Sequence, residues 1–405
     1  MNNNFLEGPE ITQLVKEARQ LRESNKQFSD IYDEDGNQYI DLVQEGGGVL
    51  GIALVGYTYI LEQAGIRFCS LAGTSAGAIN TMFMAGMSNI GDPVAVKILD
   101  ILSNKNLFDF VDGPRGIKRL IQRKIDGKGG LIWGLLWNSI AIYFQLKRNL
   151  GLNPGRDFEN WMGYHLSKEG ICNYRDLKLK RGQLPKLYHR LQKEIAPAKL
   201  AIITSDVTTH TKVDFPRMGE LYWKNPEEIC PSKFVRASMA VPYFFYPQVV
   251  KDIPHQGKEN QENWIKYAGY SGKVPPEAKF VDGGMLSNFP INIFHENKLP
   301  SRPTFGVRLS VYRKTYSRAD GFFSFGGAMI STMRQIYDYD FILRNPDYKN
   351  LICHIDADEE FNWLNFDMQF DRQKQLFLLG AEKGLEFLKK FNWEDYKKIR
   401  AKLIE

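Results

Sequence analysis

Apolar residues in the first third of the chain come in blocks, and glycine ends each block. "QYIDLVQ" (38–44) reads as a strand. "VLGIALVGYTYILEQAG" (49–65) has helical length and closes on Gly65, a suitable C-cap. "IRFCSLA" (66–72) reads as a second strand, and "AINTMFMAGM" (78–87) as an almost wholly apolar helix. Strand, glycine loop, helix, strand is a βαβ unit, and such continuous apolar runs belong to a parallel sheet buried between helices. Upstream, residues 10–27 read as a polar, exposed helix, and "DEDG" (33–36) as a turn.

The pattern then changes character. Residues 92–165 are mostly helical in spacing. "AKLAIITSDVTTHTKVDF" (198–215) reads as two strands around a turn, and "FVRASMAVPYFFYP" (234–247) as a helix halted near Pro242. Residues 251–279 are polar and broken by Gly and Pro, which predicts a long loop. "AKFVDGG" (278–284) is a strand ending at Asp282, and "PTFGVRLSVY" (303–312) is another. "DRQKQLFLLGAEKGLEFLKKF" (371–391) predicts an amphipathic terminal helix.

Composition narrows the class without naming a function. At 405 residues, 43% hydrophobic and 25% charged, the chain is an ordinary globular sequence. Its four cysteines (Cys69, Cys172, Cys230, Cys353) form no CxxC pair, so neither a disulfide framework nor a zinc site is expected. "MNNNFLEGPE" has no basic or apolar leader pattern, so a cytoplasmic location is expected. The net charge of +6 is mild and partly concentrated in "IKRLIQRKIDGKGG" (117–130). An anionic membrane surface fits it, and no nucleic-acid partner is expected.

The chemistry sits at the glycines. "GTSAG" (73–77) fits G-x-S-x-G, a turn from strand to helix that holds a serine hydroxyl out of the sheet. Gly73 and Gly77 leave room around Ser75, and the following helix directs its positive end at developing negative charge. "EGGGVLG" (45–51) admits two readings. Gly46, Gly48 and Gly51 match a dinucleotide fingerprint, but "IRFCSLA" ends without the acid that would hold a ribose. Alternatively, bare N–H groups at this glycine turn could hold the oxyanion of a tetrahedral intermediate. Both loops follow consecutive strands of one βαβ unit and so open on the same edge of the sheet. For a base, the order Ser75, Asp282, then His295 or His354 would suit a histidine-dependent α/β-hydrolase. Asp282 could also serve directly, since it ends an apolar strand and Gly283 and Gly284 permit close approach.

Together "EGGGVLG", "GTSAG", "ASMAVPYFFYP" (237–247) and "DGGMLSNFP" (282–290) resemble the patatin-like phospholipase family, with weaker likeness in "GLNPGRDFENWM", "NYRDL" and "LAIITSDVTT". The resemblance spans roughly residues 39–390. It implies a three-layer α/β/α sandwich with a mainly parallel central sheet. It also implies a Ser75–Asp282 dyad without a catalytic histidine and an oxyanion hole at Gly46, Gly47 and Gly48; no cofactor or metal is expected. The sequence departs from the family's commonest first motif at two places: Leu50 stands where an arginine is frequent, and Glu45 where an aspartate is. Since Ser75 and Asp282 must meet, one hydrolase domain over 39–405 is expected, with an N-terminal helical extension (1–38) and a helical basic and apolar insertion near 104–150.

Within that insertion "GGLIWGLLWNSIAIYFQL" (129–146) carries no charge but is interrupted by polar residues, so it is not expected to span a bilayer. A lid, a helix lying in an anionic lipid surface, and a core helix all fit it. "HIDAD" (354–358) could ligate a metal, though a solvated turn explains it as well. The expectation is a serine lipid acyl hydrolase of phospholipase A or lysophospholipase type, peripherally bound to membranes, with an activating partner or ligand left unidentified. The alternatives are the histidine-dependent esterase and a non-catalytic lipid-binding module.

Overall fold

The computed structural model describes residues 5–125, 142–255, 257–311, 316, 320–362 and 365–404. Its strands are β1 (Ile31–Asp33), β2 (Gln38–Gln44), β3 (Ile66–Thr74), β4 (Gly151–Asn153), β5 (Leu187–His189), β6 (Leu200–Asp206), β7 (Thr211–Phe215), β8 (Tyr243–Phe245), β9 (Gln248–Lys251), β10 (Glu277–Asp282), β11 (Thr304–Arg308) and β12 (Ile352–His354). The central sheet runs β12-β11-β2-β3-β6-β10-β9. Its first five strands are parallel, and β10 and β9 are antiparallel additions. Helices flank the sheet, giving the expected three-layer α/β/α arrangement.

The parallel core follows from the apolar blocks. Every residue of β3 is buried, as both faces of a parallel sheet must be when helices cover them. Helix α2, which follows α1 (Pro9–Glu23), spans Gly51–Gln63 and is buried from Ile52 through Glu62. It carries apolar residues all round because it has no solvent face. Its backbone touches that of the helix Phe370–Lys390. A Cβ on Gly56 would collide with the Phe377 carbonyl, and one on Gly380 with the Ala53 carbonyl. Glycine there brings two helix axes closer than any side chain would allow.

Three parts differ from the sequence expectations. The helix at 371–391 is not the last, since Trp393–Ile404 follows it. Residues 251–279 are not all loop: Lys258–Asn263 is helical and continues into a wide turn, Trp264–Ala268. Trp264 anchors that turn, wholly buried against Tyr222 and Tyr270. One buried indole among polar neighbours leaves no periodic signal. The N-terminal segment is woven into the main body, because β1 pairs with β2 and β5, and Phe5 is buried against Phe370 and Phe377. Most of the uncharged segment lies outside the described residues; of it, 142–146 belong to a helix over 142–149.

Candidate active site

Ser75 stands between β3 and helix α3 (Ala76–Met87), with φ 52° and ψ −115°. That backbone is strained for a residue with a side chain, and such strain persists only where the surroundings enforce it. Here they do. A Cβ on Gly73 would strike the Gly77 carbonyl, and a Cβ on Gly77 would strike the carbonyls of Gln44 and Glu45. The turn therefore closes only with glycine at both positions. Ser238 pins it further: the Ser75 N–H donates to Ser238 Oγ (2.9 Å), which donates to the Ile203 carbonyl (2.6 Å).

Strand register brings Asp282 to the same place. Thr74 lies opposite Ile203 on one side of β6, and Asp282 lies opposite Thr204 on the other. A Cβ on Gly283 would press on the Ile203 carbonyl and on Thr74 Cγ2, so the chain can leave β10 this close to β3 only at glycine. Asp282 Oδ1 accepts the Gly284 N–H (2.7 Å). Burial pushes the Asp282 carboxyl above the usual carboxylate range, while the Arg334 charge, a hydrogen bond with the Ser75 hydroxyl and the Gly284 amide pull it back down. A buried carboxyl with a raised pKa beside a hydroxyl is a pairing with the chemistry of a proton acceptor and a donor.

The glycine loop divides its amides. The Gly46 N–H is already used, donating to the Asn288 carbonyl (3.0 Å). Among the described residues no acceptor meets the N–H of Gly47 or Gly48, and both line the cavity. Glu45 anchors the loop. Its carboxylate accepts from the N–H of Leu309 (2.7 Å) and Ser310 (2.9 Å), from Ser310 Oγ (2.7 Å) and from Arg308 Nη2 (3.1 Å). Asn288 links both halves of the site, donating to Glu45 and to the Gly46 carbonyl while accepting from Arg334 Nη2 (2.8 Å). Leu50 is buried, and among the described residues Arg308, at the end of β11, and Arg334 are cations that line the same cavity as this loop.

Ser75, Asp282 and Gly46 to Gly48 share a cavity of about 460 Å³. Its walls are mainly apolar, including Phe110, Phe158, Met239, Phe244, Phe245 and Phe366. Asp338, on the helix Phe322–Arg344, also lines it. Its carboxylate accepts from Ser287 Oγ and the Phe289 N–H (both 2.8 Å), and burial pushes its pKa up to about 7.

The patatin-like phospholipase family model matches residues 42–295, well over half of the chain. The chain belongs to the patatin-like phospholipase family. The uncharacterized protein YqhO of Bacillus subtilis (strain 168) is 30% identical over 359 residues, covering 88% of this chain and 100% of that protein. The crystal structure of VipD from Legionella pneumophila aligns with a TM-score of 0.40 at 15% identity, over 90% of this chain and 70% of that one.

Family membership makes the protein a lipid acyl hydrolase in the general sense. All four strong motifs of the sequence converge on the cavity of this patatin-like hydrolase. Gly73, Gly77, Gly283 and Gly284 stand behind it as space-makers. The histidines lie elsewhere. Among the described residues none lines the cavity, His295 is engaged with Tyr348 (3.0 Å), and His354 is exposed. In 354–358, Asp358 Oδ1 accepts the Val311 N–H (2.7 Å), and no cluster of three potential metal ligands occurs among the described residues. No helix among them is long and apolar enough to cross a membrane. Sequence reasoning missed Ser238, Asn288, Arg308, Arg334 and Asp338. The first two lie inside quoted motifs, where their polarity amid apolar or glycine neighbours was the available signal.

Proposed function

We propose that this protein is a serine lipid acyl hydrolase of phospholipase A or lysophospholipase type, working through a Ser75–Asp282 dyad. The observation that carries this reading is the Ser75 hydroxyl facing the buried Asp282 carboxyl in a largely apolar cavity. The volume falls within the roughly 300–1,000 Å³ usual for ligand sites.

The steps follow from that arrangement. Asp282 takes the hydroxyl proton as Ser75 Oγ bonds to the ester carbonyl carbon. The carbonyl oxygen becomes an oxyanion and accepts from the amides of Gly47 and Gly48, with Gly46 holding the loop through Asn288. Collapse breaks the ester C–O bond, and the proton on Asp282 passes to the departing alcohol oxygen, releasing the deacylated lipid. Water then attacks the acyl-serine and gives its proton to Asp282. The second collapse releases the fatty acid and returns that proton to Ser75 Oγ. The aromatic wall holds the acyl chain, and its burial supplies binding in proportion to apolar area.

Product analysis with mixed phospholipid vesicles tests the reading. Wild type should release fatty acid and lysolipid, and Ser75→Ala should release neither while keeping its fold. Undiminished release by Ser75→Ala would refute the nucleophile.

A further inference from the structure

One wall of the cavity continues outward into a surface of another kind. Phe244 and Phe245 of β8 line the cavity, while Tyr243, the first residue of β8, turns outward and is 68% exposed. β8 pairs in parallel with β4, Gly151 opposite Tyr243. That pairing sets the end of the helix over 142–149 beside Tyr243, and Tyr246 Oη joins the two, donating to Gln145 (2.7 Å) and accepting from Asn149 (3.1 Å). Tyr143 (57%) and Phe144 (61%) on that helix and Leu150 (46%) just after it are exposed, as Tyr243 is.

Two further observations mark the patch. Leu150 and Tyr243 both have positive φ, 58° and 65°. Bulky residues rarely adopt that backbone, which costs on the order of 1–2 kcal/mol each, and here it accompanies two apolar side chains left in water. Exposed cations flank them: Lys147 and Arg148 on the same helix, Lys147 lying over the Tyr143 ring at 5.6 Å, and Arg156 beyond β4. The nearby acid Asp112 is occupied with the N–H groups of Gly155 and Arg156 at the start of the next helix.

We propose that this face, Tyr143, Phe144, Leu150 and Tyr243 with Lys147 and Arg148, docks on an anionic phospholipid bilayer and sets the cavity mouth against it. The occupant follows from the chemistry. Aromatic rings settle at the headgroup level, basic side chains meet anionic lipid phosphates, and the patch continues into an apolar cavity. This deepens the hydrolase reading and rests on it for the direction of lipid entry.

Co-sedimentation of the full chain with phosphatidylcholine vesicles, with and without phosphatidylglycerol, tests the surface. Wild type should bind the anionic vesicles more tightly. Tyr143→Ser/Phe144→Ser/Tyr243→Ser should lose at least about tenfold in vesicle binding, from lost apolar insertion. Lys147→Glu/Arg148→Glu, which disturbs no core contact, should lose roughly fivefold per charge and most of its salt dependence. Both variants should hydrolyse a soluble short-chain ester and react with a fluorophosphonate like wild type. Wild-type vesicle binding by Lys147→Glu/Arg148→Glu overturns the docking face whatever the aromatic variant does. Wild type that cleaves the soluble ester but ignores vesicles also overturns it and leaves the hydrolase reading standing. Wild type that binds vesicles yet cleaves no ester has the opposite meaning: docking stands and the hydrolase fails.

Discussion

Replacing Asp282 by asparagine separates chemistry from architecture in one substitution. Asparagine keeps the shape and keeps an oxygen for the Gly284 N–H, now 2.7 Å from Asp282 Oδ1. It removes the carboxylate that the proposed mechanism uses as its proton acceptor. A positioned general base typically contributes about 10²–10⁴ in rate, or roughly 3–5.5 kcal/mol of transition-state stabilisation. Ester hydrolysis should fall by that much. Stability should move the other way. Burial raises the Asp282 pKa above its unfolded value, so this group favours folding below the unfolded pKa and loses that contribution as pH rises through the folded one. As pH rises the wild type loses that contribution, which the neutral amide of Asp282→Asn never had. The variant should therefore be at least as stable as wild type at pH 7 and lose that advantage toward pH 4. Steady-state turnover of a soluble ester and urea denaturation at the two pH values measure both effects. Activity within tenfold of wild type would refute Asp282 as the base, and a marked loss of stability at pH 7 would refute the account of its burial.

Three other perturbations test the surroundings. A Cβ at Gly47 would lie 2.6 Å from Leu309 Cδ1, so Gly47→Ala should displace the loop and lower kcat by about 10²–10³, with the fold retained by circular dichroism. Glu45→Ala should cost about 2–5 kcal/mol in urea denaturation, because it removes one ion-pair partner of Arg308 and orphans the amides of Leu309 and Ser310. Asp338, with its pKa raised to about 7, contributes stability that is lost as pH rises from about 4 through 7; Asp338→Asn should remove that slope, visible as a variant more stable relative to wild type at pH 8 than at pH 5.

The turn at Ser75 and the strand ending at Asp282 were legible because their requirements are local. A strained turn against a parallel neighbour needs Gly73 and Gly77, and those glycines stand within two residues of the serine. The uninterrupted apolar runs of β3 and α2 likewise announce burial on every side. The long helix after β12 was legible as a helix but not as penultimate, since the contact that shapes it, Gly380 on Ala53, joins residues far apart in the chain.

The sequence by itself therefore determined the βαβ start, the elbow, the glycine loop and the family. Each is a short pattern whose steric reason travels with it. Tertiary structure decided what those patterns meet. It set Asp282 across β6 from Ser75 through hydrogen-bond register, a property of strand order rather than of either segment. It committed the Gly46 amide to Asn288 and left Gly47 and Gly48 facing the cavity. It brought Arg308 from β11 to Glu45 and Arg334 from a distant helix to Asn288. Charge acts through space at a few ångströms, so a cation can come from any part of the chain that the fold delivers there, and no spacing in the sequence records its arrival.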